Sequence, residues 1–208
     1  MKIALLNGSP NKNGCTFTAL SECAGAIEEL GGETEIIQLG TKPVRGCIDC
    51  GRCGEKKDRK CVFDDDVCNE ISDRLFAADG IIIGSPVYYA SANGTLCAVL
   101  DRIFYSSYGA FAGKPAAAVV SCRRGGASAA FDRLNKYFTI NQMPVVSSTY
   151  WNSVHGSCAE DVKKDLEGLQ VMRALGRNMV YLIESIKRAG LTPPEQERKV
   201  FTNFMDGK

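Results

Sequence analysis

Apolar positions along the chain follow two alternating rhythms. Short runs bounded by turn residues, Ile3 to Leu6 before Asn7-Gly8 and the GIIIG of Gly80 to Gly84, predict strands buried on both faces. Between them, Phe17, Leu20, Ala24, Ile27 and Leu30 recur at three- and four-residue steps and predict a helix over Thr16 to Leu30, stopped by Gly31-Gly32. Glu33 to Leu39, Ala116 to Cys122 and Pro144 to Ser147 predict further strands. Helices are predicted over Val67 to Ala78, Thr95 to Tyr105 and Ala127 to Ile140, with one long helix from Ala159 to Ala189. Strands interleaved with helices in this way predict an α/β fold, a doubly wound parallel sheet of five strands with helices on both faces and right-handed crossovers. Three stretches break the rhythm. Ser85 to Gly94 and Tyr150 to Ser157 read as loops, and Thr41 to Asp66 mixes glycines, charges and cysteines with no sustained period.

Length and charge narrow this picture. At 208 residues, against a prior of about 150 per domain, the chain reads as one domain over residues 1–190, with a cysteine-rich excursion at 41–66 and a polar tail at 191–208. Lys and Arg number 25 against 24 Asp and Glu, so no basic excess points to nucleic acid or an anionic membrane. The opening apolar run breaks at Asn7-Gly8, and nothing approaches the roughly 18 to 20 apolar residues of a membrane span, so a cytoplasmic protein is expected. A chain this long does not need disulfide staples, and four of its ten cysteines crowd into residues 47–61. Metal or redox chemistry in a reducing compartment accounts for them better.

The first strand leads into Gly8 to Thr16 (GSPNKNGCT), a loop that invites comparison with phosphate-binding motifs. A nucleoside-triphosphate loop needs four residues between its glycines and then lysine; here five separate Gly8 from Gly14 and Cys15 follows. The dinucleotide pattern G-x-G-x-x-G is absent too. What remains is a hydroxyl-rich loop that brings Thr16 and free backbone N–H groups to a helix start, suited to one phosphate. In a parallel sheet of order 2-1-3-4-5 the ligand lies between strands one and three, as the flavin of flavodoxin does. The loop after the third strand then carries its ring. There Pro86 fixes the turn, backbone groups of Val87 to Tyr89 can meet a polar ring edge, and Tyr88 and Tyr89 either cover a flat aromatic or are ordinary core or interface residues.

GSPNKNGCT, SPVYYASANG (Ser85 to Gly94), SCRRGG (Ser121 to Gly126) and the cysteine cluster together resemble the flavodoxin-like NAD(P)H-dependent FMN reductases, and among them the iron-sulfur flavoproteins; the likeness runs from Met1 to about residue 190. It implies flavin mononucleotide (FMN) with its phosphate on Ser9, Asn11, Asn13, Gly14, Cys15 and Thr16. The same likeness implies the isoalloxazine against Pro86, Val87, Tyr88 and Tyr89, and Ser121, Arg123, Arg124, Gly125 and Gly126 closing over it. NAD(P)H is the implied electron donor, a small molecule or a ferredoxin-like protein the electron partner, and a homodimer or homotetramer the assembly. Arg123-Arg124 are either two solvated charges or groups facing FMN or an anionic cofactor such as NADPH.

Cys47, Cys50, Cys53 and Cys61 are spaced C-x2-C-x2-C-x7-C. Three thiolates at three-residue steps can converge on one face of a 4Fe-4S cluster while a fourth closes it. Zinc on four thiolates is the competing metal, although zinc sites favour two separated CxxC pairs; a loop that simply packs at a subunit interface is the third reading. Cys23, Cys68, Cys97, Cys122 and Cys158 read as singly placed small apolar residues. His155, the only histidine, reads as structural rather than as a catalytic base. The expected activity is thus an FMN-dependent oxidoreductase whose chemistry resides in the cofactor, with no indispensable acid or base. The alternatives are a cluster-free reductase of quinones, nitro or azo compounds or free flavin, and a non-enzymatic electron carrier, against which the balanced charge speaks.

Overall fold

In the computed structural model, which describes residues 1–195 together with 197 and 200, the alternating rhythm becomes a three-layer α/β domain. The elements are β1 (Lys2–Asn7), α1 (Cys15–Glu28), β2 (Glu33–Gln38), α2 (Arg52–Lys56), α3 (Cys68–Ala77), β3 (Gly80–Tyr88), β4 (Ser91–Ala92), α4 (Gly94–Ser106), β5 (Ala116–Cys122), α5 (Ala127–Ile140), β6 (Ser153–His155), α6 (Ala159–Val162) and α7 (Leu166–Ala189). Most of the tail expected over 191–208 lies outside the described residues. Among those described, no helix is long and apolar enough to cross a membrane.

The sheet runs β2-β1-β3-β5-β6, all parallel, with β4 paired antiparallel to β3 off the main path. Because β4 takes a number, the expected 2-1-3-4-5 becomes 2-1-3-5-6; with that two-residue hairpin strand set aside, the winding is the same. Alternation along the strands divides the core in two. Ile3, Leu5, Ile82, Ala117 and Val119 pack beneath α1 and α7, whereas Ala4, Leu6, Ile81, Ile83, Ala118 and Val120 face α3, α4 and α5. Burial on both faces is why these strands read as continuous apolar runs.

Three expectations are corrected. The last strand is not Pro144 to Ser147: Val145 makes a single bridge to Ala116, and the ladder resumes only at β6, inside the stretch that reads as irregular. Asn152 makes the interruption tolerable, since its side-chain Nδ2 donates to the Ala118 carbonyl at 3.0 Å and its own carbonyl accepts from Val120 N at 2.9 Å, so the buried backbone keeps its partners. The long terminal helix is two helices. Asp165 sits between them in a non-helical conformation and accepts from Gly168 N at 2.9 Å, an N-cap that starts α7 afresh. The loop expected over Ser85 to Gly94 is largely ordered pairing: β3 continues through Pro86 to Tyr88 and turns back through β4, with Tyr89 at φ +56 in the bend.

Candidate functional site

Three connections meet beyond the carboxyl ends of β1, β3 and β5. The first, residues 8–14, is shaped by polar groups at its base. Asn7, fully buried, accepts from Ser9 N through Oδ1 at 3.1 Å and donates through Nδ2 to Gln38 Oε1 at 2.7 Å, while Gln38 Nε2 donates to the Ser9 carbonyl at 2.7 Å. Ser9 Oγ in turn accepts from Asn11 N at 3.1 Å. Gly8 N donates to the Gly84 carbonyl at 2.8 Å, and a Cβ on Gly8 would stand 2.8 Å from that same oxygen and 2.5 Å from Leu96 Cδ2. Only glycine lets the first loop lie this close to β3 and the start of α4.

The loop delivers the start of α1. Gly14 is its N-cap and offers no side-chain acceptor, and the first turn carries no acidic residue, so the N–H groups and the positive end of the helix dipole face outward without an internal anion. Thr16, buried on the first turn, shares a 2.8 Å hydrogen bond between its Oγ1 and Ser121 Oγ at the end of β5, tying the first connection to the third. Ser9 is buried, Gly14 half-buried, and Asn11 and Asn13 are exposed on the rim. The Cys15 thiol turns away toward β6 and donates to the Gly156 carbonyl at 3.5 Å. Burial pushes both Cys15 and Cys122 above the usual thiol range, which keeps both thiols uncharged at neutral pH.

The second connection is the β3–β4 hairpin. Ser85 Oγ accepts from Asn93 N at 2.9 Å and donates to the Pro86 carbonyl, and Asn93 caps α4 by accepting from Thr95 N and Leu96 N at 2.8 and 3.2 Å. Pro86 and Val87 are half-buried. Tyr88 is 45 % exposed and Tyr89 fully so, which removes the reading of either as a core residue. The third connection, Ser121 to Gly126, buries Ser121 and leaves Arg123, Arg124 and Gly125 exposed. Gly126, at φ +85, caps α5 directly against the hairpin: a Cβ there would lie 2.8 Å from Val87 Cγ1 and 3.3 Å from the Tyr89 carbonyl. All fifteen residues expected to hold FMN thus lie on three connections, or on the ends of the elements that flank them, joined by hydrogen bonds or packing beyond the carboxyl ends of the strands. A donor-lined helix start can take one phosphate, and the uncovered surface of Tyr88 and Tyr89 can take a flat ring.

The four clustered cysteines sit elsewhere, against the C-terminal half of α4. Cys47, Cys50, Cys53 and Cys61 line one depression together with Phe63 and Arg102, and all ten cysteines of the chain are free thiols. Among the described residues no three His, Cys, Asp or Glu side chains are gathered at metal-ligating geometry. The loop carrying them is held by unusual backbone, with Asp49, Gly51, Lys57 and Arg59 at positive φ around the short helix α2 that the sequence pattern does not reveal. Four thiols on the wall of one hollow, none oxidised to a disulfide, form a donor set of the kind an iron-sulfur cluster takes. Of the cysteines read as small apolar residues, Cys23, Cys68, Cys97 and Cys122 are buried. Cys158 is exposed at the start of α6 and departs from that reading.

Two functional-looking groups escape a pattern search. Arg102 stands on the buried face of α4 among Val99 and Ile103, its side chain fully enclosed and paired with Asp66. The only signal was a charge at an apolar position of the helix. Asn7 is likewise hidden because it ends an apolar run and reads as a turn residue. His155, exposed, donates its backbone N–H to Asp165 Oδ2 at 2.7 Å, and its ring Nδ1 lies 3.4 Å from the same oxygen. That contact links β6 to the cap of α7, a structural arrangement.

The fold and the sequence have counterparts among known proteins. A family model described as NADPH-dependent FMN reductase matches residues 1–157. An iron-sulfur flavoprotein of Methanocaldococcus jannaschii is 34% identical over 198 residues, covering 90% of this chain and 100% of its own. One from Methanosarcina thermophila is 28% identical over 193 residues, covering 90% and 98%. Among solved structures, a flavone reductase superposes with a TM-score of 0.69 at 18% identity, over 92% of this chain and 66% of the other. A flavodoxin from the domain Archaea superposes at 0.60 and 17% identity, over 88% and 99%. The shared winding, the family match over three quarters of the chain and the near full-length relatives agree: the chain belongs to the NADPH-dependent FMN reductase family, in its iron-sulfur flavoprotein branch.

Proposed function

We propose that this FMN-dependent oxidoreductase takes electrons from NAD(P)H and passes them to an acceptor through a 4Fe-4S cluster on Cys47, Cys50, Cys53 and Cys61. The observation that carries the flavin part is the Thr16–Ser121 hydrogen bond, which joins the first and third connections into one rim around an uncapped helix start. In this reading Ser9, Asn11, Asn13, Gly14, Thr16 and the backbone N–H of Cys15 hold the phosphate. Pro86 to Tyr89 bear the ring, Ser121, Gly125 and Gly126 close over it, and the exposed Arg123 and Arg124 meet the anionic nucleotide. When bound, the flavin supplies hydride acceptance and single-electron release, and the cluster supplies single-electron transfer. The chain orients these groups and buries Asn7, Ser9 and Ser121 beneath them, and burial keeps the Cys15 and Cys122 thiols neutral. No side chain is needed as a proton donor; the His155 backbone N–H and ring both face Asp165 at the cap of α7. Assembly as a homodimer or homotetramer and exchange with a ferredoxin-like protein belong to the same proposal, with the exposed Tyr150 and Trp151 as surface available for contact.

One observation favours a second reading. The thiols of the depression are not drawn to ligand geometry among the described residues, as in a cluster-free FMN reductase that keeps the cysteine loop only as structure. A single experiment on anaerobically purified protein separates the two: the visible spectrum before and after NADPH or NADH, with iron and acid-labile sulfide assayed on the same sample. Flavin bands that bleach, with about four iron and four sulfide per chain, support the cluster. Bleaching flavin without iron supports the simple reductase, and flavin that NADPH and NADH both leave oxidised overturns the donor assignment.

A further inference from the structure

Arg102 is an expensive residue to bury, and its hydrogen bonds show what it is buried for. It is 1 % exposed, and its guanidinium reaches four different groups of the cysteine loop: Nη1 donates to the Asp66 carboxylate and, at 3.2 Å, to the Arg45 carbonyl, Nη2 to the Phe63 carbonyl at 2.9 Å, and Nε to Cys61 Sγ at 3.3 Å. Three of these contacts are those of a clamp that closes residues 45–66 onto α4. The fourth differs in kind. A neutral thiol is a weak acceptor, whereas a thiolate accepts strong, charge-assisted hydrogen bonds. A fixed N–H of an obligatory cation aimed at the Cys61 sulfur is placed to hydrogen-bond that sulfur as a cluster ligand.

We propose that Arg102 is a positioning residue that sets the reduction potential of the four-cysteine site through its Nε–H···Sγ hydrogen bond to Cys61, with Asp66 as the counterweight that limits its charge. The inference rests on the cluster reading above. Reduction places an added electron on iron and sulfur, and hydrogen bonds to ligand sulfurs and the net local charge are the protein's means of stabilising it. The Nε–H donor stabilises the reduced state and raises the potential. The Asp66 carboxylate, whose side chain is 8 % exposed, offsets part of the cation and lowers it. A buried cation and its half-buried counterion therefore act on the site with opposite sign, which a clamp alone would not do.

The test is a redox titration of the anaerobic holoprotein followed by electron paramagnetic resonance, with iron, sulfide and FMN content measured on each sample. Arg102→Lys keeps a cation for Asp66 but loses the rigid Nε donor, and its cluster potential is expected to fall. Asp66→Asn leaves the donor and removes the counterweight, and its potential is expected to rise. Arg102→Met/Asp66→Asn removes both charges and leaves no unpaired ion in the interior, so it remains informative if a single variant fails to fold; its potential is expected to fall. Full iron with unchanged potentials, or shifts of the same sign in Arg102→Lys and Asp66→Asn, would overturn the tuning role while leaving the cluster in place. Loss of iron from both Arg102 variants would assign the residue to building the loop and also overturn it. Wild-type protein with flavin but neither iron nor sulfide would overturn the cluster reading and this inference together.

Discussion

Thr16→Val offers a sharp test of the joint between the first and third connections. The substitution preserves shape at a side chain 1 % exposed and removes the hydroxyl that shares a 2.8 Å hydrogen bond with Ser121, itself 3 % exposed. Ser121 Oγ has no other protein partner among the described hydrogen bonds, so the variant leaves a buried hydroxyl unsatisfied, at a cost of about 1–3 kcal/mol. For a chain of this size that lowers the melting temperature by roughly 2–4 °C per kcal/mol. Ser121→Ala strands Thr16 in the same way. The double variant Thr16→Val/Ser121→Ala strands neither group, so it should be more stable than the sum of the singles by about 1 kcal/mol, a coupling typical of residues in direct contact. Urea unfolding followed by circular dichroism, at fixed protein and FMN concentrations, gives the three differences, with the slope m expected unchanged. FMN titration of the same variants should show weaker binding for Thr16→Val, by about tenfold or more if the hydroxyl also meets the phosphate. Singles within about 0.5 kcal/mol of wild type, or strictly additive effects, would refute the joint.

Gly126→Ala combines a positive φ with a Cβ 2.8 Å from Val87 Cγ1; it should destabilise by about 2 kcal/mol or more, read by denaturant unfolding, and weaken FMN binding by displacing the tyrosine hairpin. Asp165→Ala removes the cap of α7 and the partner of His155 N, and should cost about 1–2 kcal/mol in the same assay without altering NADPH-dependent bleaching of the flavin. Acid should weaken the fold through Glu35 and Asp79. Hydrogen bonding from Lys2, reinforced by Arg74, holds Glu35 below the usual carboxylate range. Burial opposes the same shift in Asp79, but the Lys2 N–H and Lys187 outweigh it. Their stabilisation is present above the unfolded-state pKa and lost as pH falls through the folded one, so stability measured between about pH 5 and 2 should drop less steeply in Glu35→Gln than in wild type.

The doubly wound sheet was legible because burial on both faces writes each inner strand as a short apolar run: GIIIG at Gly80 and AAAVVSC at Ala116 need no partner to be recognised. The edge was not. β6 has only Ser153, Val154 and His155, and its pairing depends on the Asn152 amide filling a gap in the ladder beside Ala118, a contact across 34 residues of sequence that no local pattern contains. The break at Asp165 was hidden for a similar reason, since apolar periodicity continues on both sides and only the cap separates two helices. The residues expected at the flavin edge were read from loop chemistry after the strands and from the family resemblance. Their joining through Thr16 and Ser121, 105 residues apart, could not be read from either loop alone. At the cysteine loop the sequence determined the donor set and its spacing, because ligand chemistry is local. What surrounds those donors was decided by the tertiary structure: Arg102 lies 41 residues from Cys61, on a different element, and only the packing of that loop against α4 turns a charge on an apolar helix face into a hydrogen-bond donor for sulfur.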